Sequence, residues 1–206
     1  IMKEHSTFYS ERMVAGILKN IKKSAWAEQV RDNIVEKARY WVKLGDEEIW
    51  SLMFGNTIMR SWSVWSDGFC PPCRKAVVMY NWVADPLRHP WKMECPNCGE
   101  LFSKNDFYKY YASGLNENGV FSFGLADGSL LFNEEHPDKD DPLHLFGVDD
   151  GNGYKEGGNT WRFIGTYLIY GQWKRVVLQG LNILSSAYVV TADGKYAHKA
   201  GILLDR

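Results

Sequence analysis

Apolar residues in the first fifty positions recur every three or four places, the period of an amphipathic helix. Met13, Val14, Ile17, Leu18 and Ile21 share one face, and Ser10 stands where a hydroxyl can accept from an unpartnered first-turn amide, so a helix is predicted from Ser10. A second helix is predicted after Ser24, a candidate cap, through Trp26, Val30, Ile34, Ala38, Trp41 and Val42, with Gly45 able to end it. Asp46 then opens a short segment through Ile49, Trp50, Met53 and Phe54.

The period changes after Ser66. Lys75 to Val83 is rich in Val, Met, Tyr and Trp and reads as a ribbon strand, while Pro86, Pro90 and Pro96 exclude a helix there. Leu115 to Gly158 is loop-rich, with Asn116-Glu-Asn-Gly119, Asp127-Gly128, an acidic run from Glu134 to Asp141, and Asp149-Asp-Gly-Asn-Gly-Tyr154. Irregular stretches of this length usually serve a function or cover a surface. Helical spacing then returns. Trp161, Ile164, Tyr167 and Leu168 give one face, and Val176, Val177, Leu181, Leu184 and Tyr188 the next. A turn at Thr191-Ala-Asp-Gly194 follows, and Asp193 can cap a last helix holding Tyr196, Ala197, Ala200, Leu203 and Leu204. Short links between amphipathic helices predict antiparallel pairs, which stack as a solenoid or close into an α/α toroid. The expected organisation is a helical part over 1–65, a knuckle region over 66–111, and loops leading into helix pairs over 112–206.

The knuckle region takes its name from the cysteines. Cys70-Pro-Pro-Cys73 and Cys95-Pro-Asn-Cys98-Gly99 lie 21 residues apart and use all four cysteines of the chain. Two such turns can aim four thiolates at one tetrahedral metal ion, and four thiolates leave no open position for a substrate, so the expectation is a structural zinc site. Two disulfides would suit a small secreted domain, but 206 residues at 45 % hydrophobic can bury a core without staples. A thioredoxin-type pair needs only one Cys-x-x-Cys, and haem attachment needs His where Arg74 and Gly99 stand.

Composition narrows the partners. The net charge is −1 and the pI about 6.6, so no global positive field draws the chain to nucleic acid or to an anionic membrane, and neither is expected as a partner. No run of eighteen apolar residues and no signal peptide is visible, which predicts a soluble chain. The start at Ile1 and the end at Arg206, just after an apolar helical run, lead us to expect a fragment whose partner is the remainder of the same polypeptide. Aromatics at 15 %, with nine Trp and eleven Tyr, suit sugar stacking or core packing.

Taken in order, the two Cys-Pro-x-Cys turns, the run from the second into Phe102 and Asn105-Asp106, Val148-Asp-Asp-Gly-Asn-Gly-Tyr154, and Ala187 to Arg206 resemble the heparinase II/III-like polysaccharide lyases. The resemblance covers most of the chain from about Ser66 and, more loosely, the N-terminal helices; Arg74 departs from the Gly that many knuckles carry. It implies a mainly α fold, an incomplete (α/α) toroid with an inserted zinc-knuckle or ribbon subdomain, followed by further toroid helices and a β-domain. It implies β-elimination on an acidic, uronate-containing polysaccharide and a periplasmic or secreted location. In that chemistry a base takes the C5 proton, a polar side chain neutralises the neighbouring carboxylate and an acid protonates the leaving oxygen. Most of the family's catalytic groups lie beyond the matched stretch, so the chain is expected to lack a complete set.

Candidate sugar-contacting residues are Asp149, Asp150 and Tyr154 in a glycine-bearing loop, Trp161 as a stacking platform, and Arg60 for a uronate carboxylate. The competing account has the acids capping a helix, the aromatics in the core and Arg60 in a surface ion pair. His5, His89, His136, His144 and His198 show no ligand or catalytic spacing, and His198 is expected to face solvent or a neighbouring helix. A zinc-ribbon interaction module would want a basic face, for which the inter-knuckle stretch offers only Arg74, Lys75, Arg88, His89 and Lys92. An α/α-toroid glycoside hydrolase would need two carboxylates facing across one bond, a poor fit for adjacent Asp149 and Asp150.

Overall fold

The computed structural model of the chain describes residues 8–53, 66–78 and 81–205. In chain order the elements are α1 (Glu11–Lys23), α2 (Ala25–Lys43), α3 (Asp46–Ser51), β1 (Met93–Glu94), β2 (Leu101–Phe102), α4 (Phe107–Ser113), a 3-10 turn (Gly128–Leu130), β3 (Tyr154–Glu156), β4 (Asn159–Trp161), α5 (Phe163–Thr166), a π-helical stretch (Tyr167–Gln179), α6 (Gly180–Thr191) and α7 (Gly194–Asp205). The fold is mainly helical, as expected, and forms two compact units: residues 1–50 with 177–206, and residues 51–176. The three consecutive parts expected from the sequence regroup because helices from the two ends of the chain share one core.

That terminal unit packs α6 on α2 and α7, with α1 against α2 and α6. Ser10 caps α1 as predicted, accepting from Met13 N at 3.4 Å. Ser24 serves both neighbouring helices through its backbone, donating to Asn20 O and accepting from the amides of Ala27 and Glu28, while its side chain makes no capping bond. Gly45 begins α3 instead of ending α2: its carbonyl accepts from Ile49 N, and Glu48 reaches back to its amide at 2.5 Å. The buried stripe of α2 runs through Ala27, Ala38 and Trp41, with Arg31 and Ile34 half-buried between, so Trp26 and Val30 point outward. Small residues win that stripe because the helices approach closely. A Cβ on Gly180 would sit 2.8 Å from Leu203 Cδ1 and 3.1 Å from the Trp41 ring.

Asp193 caps α7 as predicted, accepting from Lys195 N at 3.1 Å. The link is tightened by Ala192, left-handed at φ 58°, whose amide donates to Tyr188 O. His198 and Lys199 of α7 both reach Asp46, at 2.8 and 2.5 Å, and Lys199 also donates to Leu44 O. The Lys199–Asp46 pair joins opposite charges at the start of α3, and the clasp holds the Asp46 carboxyl below its ordinary pKa, chiefly through Lys199.

The central unit is held by a ribbon and an aromatic core. β1 and β2 pair antiparallel, as do β3 and β4, and the strand expected over 75–83 reduces to single bridges, Phe69 with Ala76 and Val83 with Glu94; residues 79 and 80 lie outside the described set. Trp91 stacks on Tyr167 at 5.0 Å and donates its indole N–H to Ser51 O, and Phe102 stacks on Phe163 at 4.4 Å. Trp161 lies on β4 and not on a helix. Helical residues continue from Phe163 to Thr191, where two separate faces are expected from the sequence. No proline interrupts the stretch, and its π-wound part carries the apolar stripe out of the α-helical phase.

Candidate metal centre

Each knuckle is a short turn closed by its own backbone. Cys70 N donates to Lys75 O at 3.0 Å and Arg74 N to Cys70 O at 3.0 Å; in the second, Cys95 N donates to Glu100 O and Gly99 N to Cys95 O, both at 2.9 Å. The residue after the second cysteine is left-handed in both, Arg74 at φ 56° and Gly99 at φ 76°. The turn thus demands that conformation, and the first knuckle meets it with a residue that has a Cβ. Arg74 has local support, its guanidinium 5.5 Å from the Phe69 ring centroid and 3.6 Å from Glu156. Asn97 ties one knuckle to the other by donating to Ala76 O at 3.0 Å.

These turns bring the four cysteine sulfurs within 4.8 Å of one another, and all four thiols are free. A metal–sulfur bond of about 2.3 Å in a regular tetrahedron places sulfurs about 3.8 Å apart. Cys70 Sγ and Cys98 Sγ stand at 3.8 Å, so the donor set fits a tetrahedral thiophilic ion. The first cysteine of each knuckle is buried, whereas Cys73 is half-buried and Cys98 exposed. Burial pushes the Cys70 thiol up and also raises Cys98, while the Lys75 amide lowers Cys73. A cation among the sulfurs would favour the thiolate at each.

The knuckles are anchored to the rest of their unit at defined points. The Trp161 indole donates to Phe69 O at 2.7 Å, Asp67 N to Thr160 O at 2.9 Å, and Arg162 N to Ser66 Oγ at 2.7 Å, which lays 66–69 beside β4. On the other side Lys104, almost wholly buried after β2, pairs with Glu100 of the second knuckle and with Glu135 at 2.8 Å.

The residues proposed to touch sugar occupy other surroundings. Asp149 is fully buried: Oδ1 accepts from Gly151 N and Gly153 N, both at 2.8 Å, and Oδ2 from Ile164 N at 3.1 Å. It therefore closes its own loop and caps α5, as the competing account had it. Burial raises its pKa to about 6 against the pull of those amides. Asn105 fixes the loop by exchanging two bonds with the Asp149 backbone, at 2.9 and 3.1 Å. Asp150, half-buried, accepts from Asn152 N at 2.8 Å. Trp161 is wholly buried and stacked on buried Tyr154 at 5.5 Å, so neither ring presents an open face; this geometry corrects the stacking expectation in favour of core packing. Arg60 lies outside the described residues.

Sequence reasoning missed the Asn105–Asp149 lock, buried Lys104 and a histidine pair. His136 Nδ1 lies 2.9 Å from Asp141 Oδ2, and His144 Nδ1 is 3.0 Å from His136 O. A carboxylate five residues after a histidine was the available signal. The Asn105–Asp149 and Lys104–Glu135 contacts, 44 and 31 residues apart, had none. No known family model matches the chain, and neither curated proteins nor solved structures include a match.

Proposed function

We propose that this chain is the metal-stapled helical portion of a polysaccharide lyase, in which Cys70, Cys73, Cys95 and Cys98 hold a structural zinc ion. The observation that carries the metal reading is the convergence of four sulfurs within 4.8 Å of one another, with Cys70 and Cys98 at the 3.8 Å a tetrahedral site requires. Zinc suits an all-thiolate tetrahedral set and brings no redox chemistry; bound there, it is closed to substrate and acts as a staple. Its work is to fix the two turns, and through Phe69 and Glu100 the strands on either side.

The lyase reading is supported by the order of the motifs from Cys70 to Arg206 and by the helix pairs α1–α2 and α6–α7, which suit an incomplete α/α toroid. Under this reading the substrate is an acidic uronate polysaccharide cleaved by β-elimination, and the Asn105–Asp149 lock shapes a loop of the scaffold instead of moving a proton. The test is far-ultraviolet absorbance, where an unsaturated uronate product absorbs, during incubation of a panel of uronate polymers with this chain and with the product of its complete gene. A rise with the complete product supports the lyase; no rise on any polymer, with zinc bound and the protein folded, overturns it in favour of a binding module.

A further inference from the structure

Exposure divides the four sulfurs unequally. Cys70 and Cys95 are buried, Cys73 is half-buried, and Cys98 alone among them is exposed. The division follows from the turns, since the first cysteine of each knuckle donates its amide across the ribbon and the second sits beyond the turn. A metal would hold all four as thiolates, so access and not intrinsic acidity would select which one meets a reagent from solvent. Beneath Cys98 the sulfur of Cys70, from the other knuckle, waits at 3.8 Å.

We infer that the knuckle centre is a peroxide-responsive modification site, in which Cys98 is oxidised first and Cys70 resolves it into a disulfide that joins the knuckles and expels the metal. The inference rests on the zinc reading given above. The Cys98 thiolate attacks one oxygen of hydrogen peroxide; an S–O bond forms, the O–O bond breaks and hydroxide leaves. The Cys70 thiolate then attacks the Cys98 sulfur, forming S–S and displacing the second hydroxide. The two sulfurs lose two electrons, peroxide gains two, and both hydroxides take protons from solvent to become water. Only Cys73 and Cys95 would then remain as thiolates, too few to hold a metal in a closed four-sulfur site. A dithiol reductant with added zinc restores the site.

The consequence reaches beyond the knuckles. Glu100 follows the second turn directly, accepts from Cys95 N through its carbonyl and pairs through its carboxylate with Lys104, which also holds Glu135. Oxidation that remodels the turn disturbs one of the two acids facing that buried lysine.

The experiment uses the whole chain as purified. Its zinc content is measured first, then zinc release is followed with a chromogenic chelator during addition of hydrogen peroxide, with dimedone trapping of sulfenic acid in a parallel sample and peptide mapping of the end product. The expected result is stoichiometric zinc at the start, release that tracks peroxide, dimedone on Cys98, and a Cys70–Cys98 disulfide reversed by dithiothreitol plus zinc. A protein that holds no zinc overturns both readings. A protein that holds zinc and keeps it through excess peroxide, or that oxidises without Cys98, overturns this one alone.

Discussion

Each of the two units of this protein is held by its own kind of interaction. The terminal unit is built from helices whose core is a stripe of small and apolar residues, with Trp41 lying over Gly180 and beside Leu203. Its stability is spread over many contacts, each modest. The central unit has strands of two or three residues, long loops, and a few points where specific chemistry does the holding: four sulfurs, a buried aspartate with three amide partners, a lysine between two acids. Stability there is concentrated, so single changes should act more sharply.

The largest effect is expected at the knuckles. On the zinc proposal, Cys95→Ser removes a buried ligand and chelation removes the ion; structural zinc in small domains contributes about 10–16 kcal/mol of apparent binding energy at neutral pH, so losing it should cost several kcal/mol. Zinc content should fall to zero, and near-ultraviolet dichroism from the central aromatics should collapse while the far-ultraviolet helical signal is largely kept. A parallel loss of both signals would show that the units do not differ as argued.

In the terminal unit the test is a pair. Trp41→Ala empties a buried site and should cost about 3–5 kcal/mol, whereas Trp26→Ala, at a position 66 % exposed, should change stability by no more than about 0.5 kcal/mol. Urea unfolding of the two variants reads the register of α2 directly. Comparable costs would restore the stripe expected from the sequence.

That pair also marks what the sequence could tell. Helix existence and the Ser10 and Asp193 caps were legible because each depends on residues a few positions apart, and the cysteine quartet because each of its two turns carries its own Cys-x-x-Cys signature. The phase of α2 was not, since Trp26 and Ala27 are both admissible on a helical face and the choice falls to the close approach at Gly180. The role of Asp149 was open for the same reason: a carboxylate in a glycine-bearing loop suits a sugar or a helix end, and only the position of Ile164 N decides. Periodicity also could not foresee π winding after Thr166, or that the chain's two ends would share a core.

Asp149 gives the next prediction, through pH. Its pKa is raised to about 6 from an ordinary 3.8, so in this interval the folded state holds a proton that the unfolded state releases. The group's contribution is therefore fully present below about pH 4 and is lost as pH rises through about 6. At 1.36 kcal/mol per unit the change amounts to about 3 kcal/mol. The difference in unfolding free energy between wild type and Asp149→Asn, which does not titrate, should fall by that order between pH 4 and 7. A difference that rises with pH would mean the three amides outweigh burial and the carboxylate is the favoured form.

The smallest effect compares the knuckles with each other. Gly99 and Arg74 occupy the same left-handed position, and nothing lies within 4 Å of a Cβ built on Gly99. Gly99→Ala therefore introduces backbone strain without a clash and should cost about 1 kcal/mol. Arg74→Gly relieves the same strain but gives up the guanidinium over Phe69, about 0.5–1 kcal/mol at an exposed site, and a solvent-screened pair with Glu156 of a few tenths at most. The two terms nearly cancel, so stability should shift by less than about 0.5 kcal/mol in either direction, with zinc content unchanged. A gain near 1 kcal/mol in zinc-loaded protein would show that Arg74 contributes nothing through its side chain and that the first knuckle carries its strain uncompensated.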